Sequence, residues 1–460
     1  MTGAVNLSLV NSHVRRRTGA INCSRALAFL IPLIIAAYWP LYSLAPELAI
    51  ALFRPAVIGV TLLLALFSYR APLTSAEAKV AGLFAILALA FLVPSMTATD
   101  PGRAFTDWVK LVILCGMSLL LCRALRDSST AKAFGVSLLV ASVIIAALII
   151  FTYLRRMGFA IPTYTTARAF KGLAQKDRVP LNTVPFASVF SYIAGMCLLR
   201  RNWALWSLGV ALFVICSVLT GSRAPIGVLL ACGFAVFLLN AVRSPRLAMR
   251  VTAYLAIGSI TLSIGILLFY LSFRQLSGVT EGRWDLWSVA AAKFIERPIL
   301  GYGYESWRDD LVSRLPGEYK LTGTLAMNIA GGYHNEYLTL LAEQGLVGLF
   351  PALALAWFVL HSTWRLGYLK WRTWAGGQWA LFGCLFLLIR ANVEVPGLFG
   401  YGQEPADFLA YIFLAIVVSR LSVEEDYTRS ISRVTARLPV RLGARTIGLQ
   451  PRYECRDLQP

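Results

Sequence analysis

Three histidines occur in the 460 residues, and one of them has neighbours that could do chemistry with it. His334 sits in Gly331-Gly332-Tyr333-His334-Asn335-Glu336-Tyr337-Leu338, a polar turn that runs straight into an apolar stretch. Imidazole takes or gives a proton near neutral pH, and it also donates to phosphate oxygens. A lone histidine is more often structural, but Tyr333, Asn335, Glu336 and the Gly-Gly pair beside this one shift the balance. The second group of interest is cationic. Arg223 ends Thr220-Gly221-Ser222-Arg223, and Arg283 opens Gly282-Arg283-Trp284-Asp285-Leu286-Trp287. A guanidinium fork matches paired phosphate oxygens. Arg54, Lys110 and the run Arg155, Arg156, Arg168, Lys171, Lys176, Arg178, which holds the single acid Asp177, add further cations. Taken singly, Arg54 and Lys110 read equally well as side chains reaching for headgroups. Glu343 is a second candidate, placed deeper, whose plainer role is a buried polar contact within a bundle.

The elements that must position these residues are membrane spans. Hydrophobic residues make up 58% of the chain and charged ones 14%, with a mean hydropathy of +0.66. Soluble domains carry about 25% charged residues, so an ordinary soluble enzyme and a disordered chain are both excluded. Hydropathy predicts twelve spans, near 26–44, 48–68, 79–98, 106–122, 133–154, 183–199, 203–219, 224–242, 252–271, 339–362, 376–392 and 405–420. The expected fold class is therefore an all-α integral membrane protein of about twelve transmembrane helices. Residues 1–271 carry helices one to nine, 272–338 form one long, partly helical loop, 339–420 carry helices ten to twelve, and 421–460 form a basic tail. The net charge of +20 is first a topology signal. With both termini inside, Arg15, Arg16, Arg17 and Arg25, then Arg123, Arg126 and Lys132, and the other short inside loops all carry the cationic excess. The long loop then falls outside, and so do the cations of the first paragraph. A set of exceptions to the positive-inside rule on one face is what a multiply charged phosphate ligand would require, and lipid-linked diphosphates are such ligands. Within the loop, the stretch from Gly282 to Ile295 has helical spacing and Pro298 ends it.

Other chemistries find no support. The cysteines have no C-x-x-C pair, and most fall within spans as small apolar filler. No P-loop, dinucleotide fingerprint or H-E-x-x-H motif occurs. No metal, cofactor or nucleic-acid partner is expected.

Thr220-Gly221-Ser222-Arg223, Gly282-Arg283-x-x-x-Trp287 with Glu296-Arg297-Pro298-x-x-Gly301-Tyr302-Gly303, and His334-Asn335-x-x-Leu338-x-x-Leu341-x-Glu343-x-Gly345-x-x-Gly348 together resemble the O-antigen ligase family. That family includes O-antigen ligases and related O-antigen or exopolysaccharide polymerases. The resemblance implies a metal-independent, inverting glycosyltransferase of the bacterial inner membrane with its active site facing the periplasm. It would move a glycan from undecaprenyl diphosphate to a glycan or lipid A-core acceptor. It makes His334 catalytic, makes Arg223 and Arg283 the residues that hold the donor diphosphate, and makes 272–338 a periplasmic catalytic loop. The run from Arg155 to Arg178 has no assignable counterpart. A polymerase joining lipid-linked repeat units is the nearest alternative, and Glu296 to Tyr304 leans slightly that way. A transporter of polysaccharide or lipid-linked sugar is the alternative of another class. It expects related halves, and here the long loop has no partner in the first half.

Overall fold

The computed structural model describes residues 7–68, 72–98, 100–160, 183–199, 283–303, 333–366, 376–391 and 405–437, with a few short pieces between 166 and 234. Every element among them is a helix: α1 (Leu7–Leu44), α2 (Pro46–Ser68), α3 (Ser75–Met96), α4 (Pro101–Ala124), α5 (Ser128–Met157), α6 (Thr183–Leu198), α7 (Arg283–Glu296), α8 (Glu336–Trp364), α9 (Gly377–Arg390) and α10 (Pro405–Arg437). Six of these, within α1 to α5 and α8, are long and apolar enough to cross a bilayer, and α6 and α9 are shorter apolar helices. The chain is a multi-pass membrane protein. The spans expected over 203–219, 224–242 and 252–271 lie almost wholly outside the described residues, as does most of the loop from 272 to 338.

Local signals place the helix ends. Thr74 accepts from the Glu77 N–H while Glu77 reaches back to the Thr74 N–H, a reciprocal cap that starts α3. The Asp100 carboxylate accepts from Arg103 N at 3.0 Å, and Pro101 fills the first helical position of α4. Asp127 caps α5, which ends at Gly158 with φ 62°.

Two helices form the centre. Every residue of α6 is buried, and so is α10 from Asp407 to Ser419. A helix apolar on all sides belongs inside a bundle. Phe186, Phe190 and Phe386 stack in series between α6 and α9, and Phe190 meets Phe413 of α10. Around this centre α3, α4, α5, α8 and α9 pack, with α1 and α2 against α5 and α4. Leu62, Leu66, Leu89 and Trp357 point outward, each more than half exposed. In lipid that surface carries no penalty.

Polar contacts gather at one end of the bundle, where α10 runs on. The Glu425 carboxylate accepts from the Ser75 and Ala76 N–H groups at the start of α3, at 3.0 and 3.3 Å. Thr74 and Ser422 hydroxyls lie 2.7 Å apart. Arg126 reaches buried Glu77 at 3.6 Å and pairs with Asp426, and Arg365 bonds Glu424 at 3.1 Å. This is the basic end of the bundle.

Several boundaries differ from the hydropathy reading. α1 begins at Leu7 rather than near 26, and α8 begins at Glu336 rather than 339, inside the segment expected as loop. α10 continues to Arg437, so the segment expected as a tail from 421 is helical for its first part. Polar residues do not stop a helix, they only end the hydropathy signal. α4 begins at Pro101 rather than 106, which puts Lys110 in its third turn. There it is ion-paired with buried Asp107, so Lys110 is a matched charge and not a spare cation for a ligand. Arg155 and Arg156 close α5. The cations from Arg168 to Arg178 lie outside the described residues, and Arg54 is described by its backbone in α2.

Candidate functional site

Away from the basic end, α7 and the start of α8 form a joint around His334. Leu286 and Ala290 of α7 pack with Tyr333 and Ala342, with Trp287, Val289 and Leu338 around them. The Trp287 indole N–H donates to the Tyr333 carbonyl at 3.0 Å. The very next residue, His334, takes φ 51°, the left-handed region. There a side chain costs roughly 1–2 kcal/mol, and such strain collects at functional sites. The chain on either side enforces it. Tyr333 is fully buried, and Asn335 caps α8 by accepting from Leu338 N at 3.1 Å. The Glu336 N–H, one of the orphan donors of the first turn, gives to the Ala391 carbonyl at 2.7 Å. The turn is thus held between α7 and the end of α9, and the imidazole is left half-buried.

A second joint lies under the first. α8 is broken at Gly345, with φ 58° and ψ −160°. A break frees backbone groups, and in a membrane those must be satisfied by protein. The segment from Pro298 to Gly303 does this. Tyr302 N–H gives to Ala342 O at 3.0 Å and Gly303 N–H to Glu343 O at 2.8 Å. Leu346 and Val347 N–H groups give to Pro298 O and Ile299 O at 2.8 and 3.1 Å. Only glycine fits the crossing points. A Cβ on Gly345 would stand 2.3 Å from Ile299 O, one on Gly301 2.5 Å from Glu343 C, and one on Gly303 2.2 Å from Ala98 Cβ. The stretch from Leu346 to Trp364, about 19 residues or ~28 Å, is by itself the depth of a bilayer core. Glu343, Gln344 and everything up to His334 precede it.

Charged groups line both joints. Lys293 is buried beneath the Tyr302 ring, its ammonium 4.9 Å from the centroid, and Arg297 stacks at 4.5 Å. Glu336 and Glu343 are buried at 1% exposure. Arg390, the last residue of α9, is 3% exposed and lies over the Phe186 ring of α6, its guanidinium carbon 3.6 Å from the ring centroid.

Of the residues singled out by sequence, His334 lies in the strained turn. Arg283 is the first residue of α7, one turn (~5.4 Å) before the tryptophan that grips Tyr333. Its position is described by backbone alone, and Arg223 lies outside the described residues. Glu343 sits at the α8 break, within the bundle as its plainer reading had it. His361, on the last turn of α8, is exposed beside Trp357, far along the helix from His334. Arg390 and Glu336 were not singled out as donor or catalytic groups. A lone arginine closing an apolar span reads as an interfacial anchor, and nothing in the spacing tells that it is buried.

These features define a class: a polytopic helical membrane protein with a strained histidine turn and buried cations at one end of its bundle. A comparison with protein families places it further. The family model described as O-antigen ligase matches residues 208–353, and the chain carries that family's domain. The matched segment contains Arg223, Arg283, both joints and His334. A search of curated proteins found no match.

Proposed function

We propose that this protein is a membrane glycosyltransferase that moves a glycan from undecaprenyl diphosphate to an acceptor at the periplasmic face, in the manner of an O-antigen ligase. The observation that carries this is the turn at His334. It is held in a left-handed conformation next to the first turn of the helix that Arg283 opens, inside the segment that matches the family. His334 takes the proton of the acceptor hydroxyl as its oxygen attacks the anomeric carbon. The bond from that carbon to the diphosphate oxygen breaks, and the lipid diphosphate leaves with the electron pair. Attack opposite to the leaving group inverts the anomeric centre. Arg283 and Arg223 hold the diphosphate and stabilise its growing negative charge. The energy resides in the lipid-linked bond, so the step draws on no nucleotide, and the family resemblance implies that it uses no metal.

The test is a cellular one. The gene is deleted, complemented with wild type or with His334→Ala, and the surface polysaccharide is run on a gel. Full-length glycan that accumulates on the lipid carrier, with none on the outer-membrane acceptor, is the expected result for deletion and for His334→Ala alike. Accumulation of single repeat units instead identifies a polymerase. Glycan that is lost on deletion but untouched by His334→Ala overturns the assignment of His334 and returns a transporter to consideration.

A further inference from the structure

The last turn of α7 is inside out in polarity. A helix in water hides its apolar side chains and shows its charges. Here Lys293 is fully buried while Ile295 is 75% exposed, and Ile299, one turn further on, is 63% exposed. Ser288, Ala291, Ala292 and Ile295 are exposed at the spacing of one helix face, and Ile299 continues it. The charged neighbours are held on Tyr302, whose ring lies under the Arg297 guanidinium and whose hydroxyl donates to Glu296. Backbone bonds fix the height of this end. Pro298 O and Ile299 O accept from the Leu346 and Val347 N–H groups, the first two residues of the stretch of α8 that matches a bilayer core. Phe350, Leu353 and Trp357 are exposed along that stretch, and Phe350 stands about one turn beyond Val347. The lipid-facing surface of α8 thus runs up to the strap. At the other end of α7, Trp287 bonds the Tyr333 carbonyl. The helix therefore descends from the His334 turn to the edge of the bilayer, with Ser288 nearer the turn and the two isoleucines at the edge.

We propose that Ile295 and Ile299 are seated in the lipid leaflet on the His334 side of the bundle. The occupant of this apolar face is the bilayer itself, because the face continues the lipid-facing stripe of α8 without a break in level. It is buried there by the same effect that holds the spans. α7 has 14 residues, ~21 Å, too few to cross a core of ~30 Å, so it rests on the leaflet and does not span it. The segment 272–338, expected as one loop outside the membrane, is tethered to the membrane at this point. Trp287 grips Tyr333 from the same helix, so the seating also sets the height of the His334 turn above the lipid. It holds for either orientation of the bundle, and for a transferase or a transporter alike.

The experiment uses the full-length protein, native cysteines replaced, at one copy per nanodisc of phosphatidylethanolamine and phosphatidylglycerol. Nitroxide labels are placed singly in Ser288→Cys, Ile295→Cys, Ile299→Cys and Phe350→Cys. Electron paramagnetic resonance reads their collisions with oxygen, which concentrates in lipid, and with a nickel chelate, which stays in water. The oxygen-to-nickel ratio is expected to rise in the order Ser288→Cys, Ile295→Cys, Ile299→Cys, the last approaching Phe350→Cys. Ratios at the two isoleucine positions no higher than at Ser288→Cys put this end of α7 in water and overturn the proposal. A label shut off from both reagents is buried in protein and overturns it too. Shielding from nickel that appears only in discs holding two copies makes the face a contact between copies, with the same consequence. The wild-type protein gives a check that needs no substitution. Lipid carrying a diazirine at the top of its acyl chain is photolysed in the same discs, and the adducts are mapped by mass spectrometry. Adducts within 295–299 are expected beside those on the lipid face of α8, and adducts on α8 without any on 295–299 overturn the seating.

Discussion

At His334 the backbone adopts φ 51° with a full side chain in place. Asparagine tolerates that region nearly as well, since its short amide bonds locally. His334→Asn is therefore expected to leave the melting temperature of the purified protein close to wild type and to abolish glycan transfer. A variant that still transfers glycan would show that the imidazole is dispensable. Asp127, far from the site, gives a pH dependence instead. Burial alone would push its carboxyl up, but hydrogen bonds from Ser129 and Thr130 and the charge of Arg25 hold it below its ordinary 3.8. Its folded value is depressed, so its contribution is complete above the unfolded value and disappears as pH falls through the folded one. Wild type should lose stability in acid below about pH 4. Asp127→Asn should show less of that acid loss and, at neutral pH, should be only slightly less stable, since asparagine caps a helix about as well as aspartate. Thermal melting between pH 3 and 7 reads both. Of these two residues the sequence made one legible. His334 announced itself through the company it keeps. The Asp127 cap, three residues ahead of Thr130, lay in a short inside loop that was read only for its charge.

At the scale of elements, the two joints explain why the family-like motifs have their glycines. Pro298-x-x-Gly301-Tyr302-Gly303 and Glu343-x-Gly345 are far apart in sequence, and each alone looks like an ordinary turn. Together they are one structure, a helix break and the strap that satisfies it. The spacing announced turns but not that they meet, because a backbone-to-backbone contact leaves no side-chain pattern. Hydropathy likewise saw α8 as one span, since a break at a glycine leaves the apolar run intact. Gly345→Ala puts a Cβ 2.3 Å from Ile299 O at a positive φ, and Gly301→Ala puts one 2.5 Å from Glu343 C. Each is expected to cost more than about 1 kcal/mol and to depress transfer by moving the His334 turn that rests above the strap. Combining them should cost less than the sum, because both act on one joint. Melting curves of the two single variants and the double variant test this, and strict additivity would count against a shared joint. Trp287→Phe keeps the ring and removes the donor to Tyr333 O. A stability loss of about 0.5–1.5 kcal/mol and a larger fall in turnover are expected, and donor binding should hold.

At the scale of the molecule, the bundle separates two kinds of polar chemistry by the thickness of a membrane. Among the described residues the basic end is tied by pairs: Glu77 with Arg126, Asp426 with Arg126, Glu424 with Arg365, and Glu425 on the start of α3. Such pairs fix how helices meet. The other end holds Lys293, Arg390 and the His334 turn among buried surfaces. The proposed function needs the basic end in the cytoplasm and His334 outside, as the positive-inside rule expects, and this orientation can be tested directly. Ser128, exposed in the first turn of α5, and Phe159, 96% exposed just past its far end, mark the two ends of one 30-residue helix. That helix rises ~45 Å, more than a bilayer core, so its ends must face opposite compartments. Cysteines introduced singly at Ser128 and Phe159, in a background whose native cysteines are replaced, are treated in intact cells with a membrane-impermeant maleimide. Phe159→Cys should label at once, and Ser128→Cys only after the inner membrane is opened. The reverse order would turn the protein over and put His334 among cytoplasmic groups. A donor displayed on the outer leaflet could not reach it there, and the transferase reading would have to be given up.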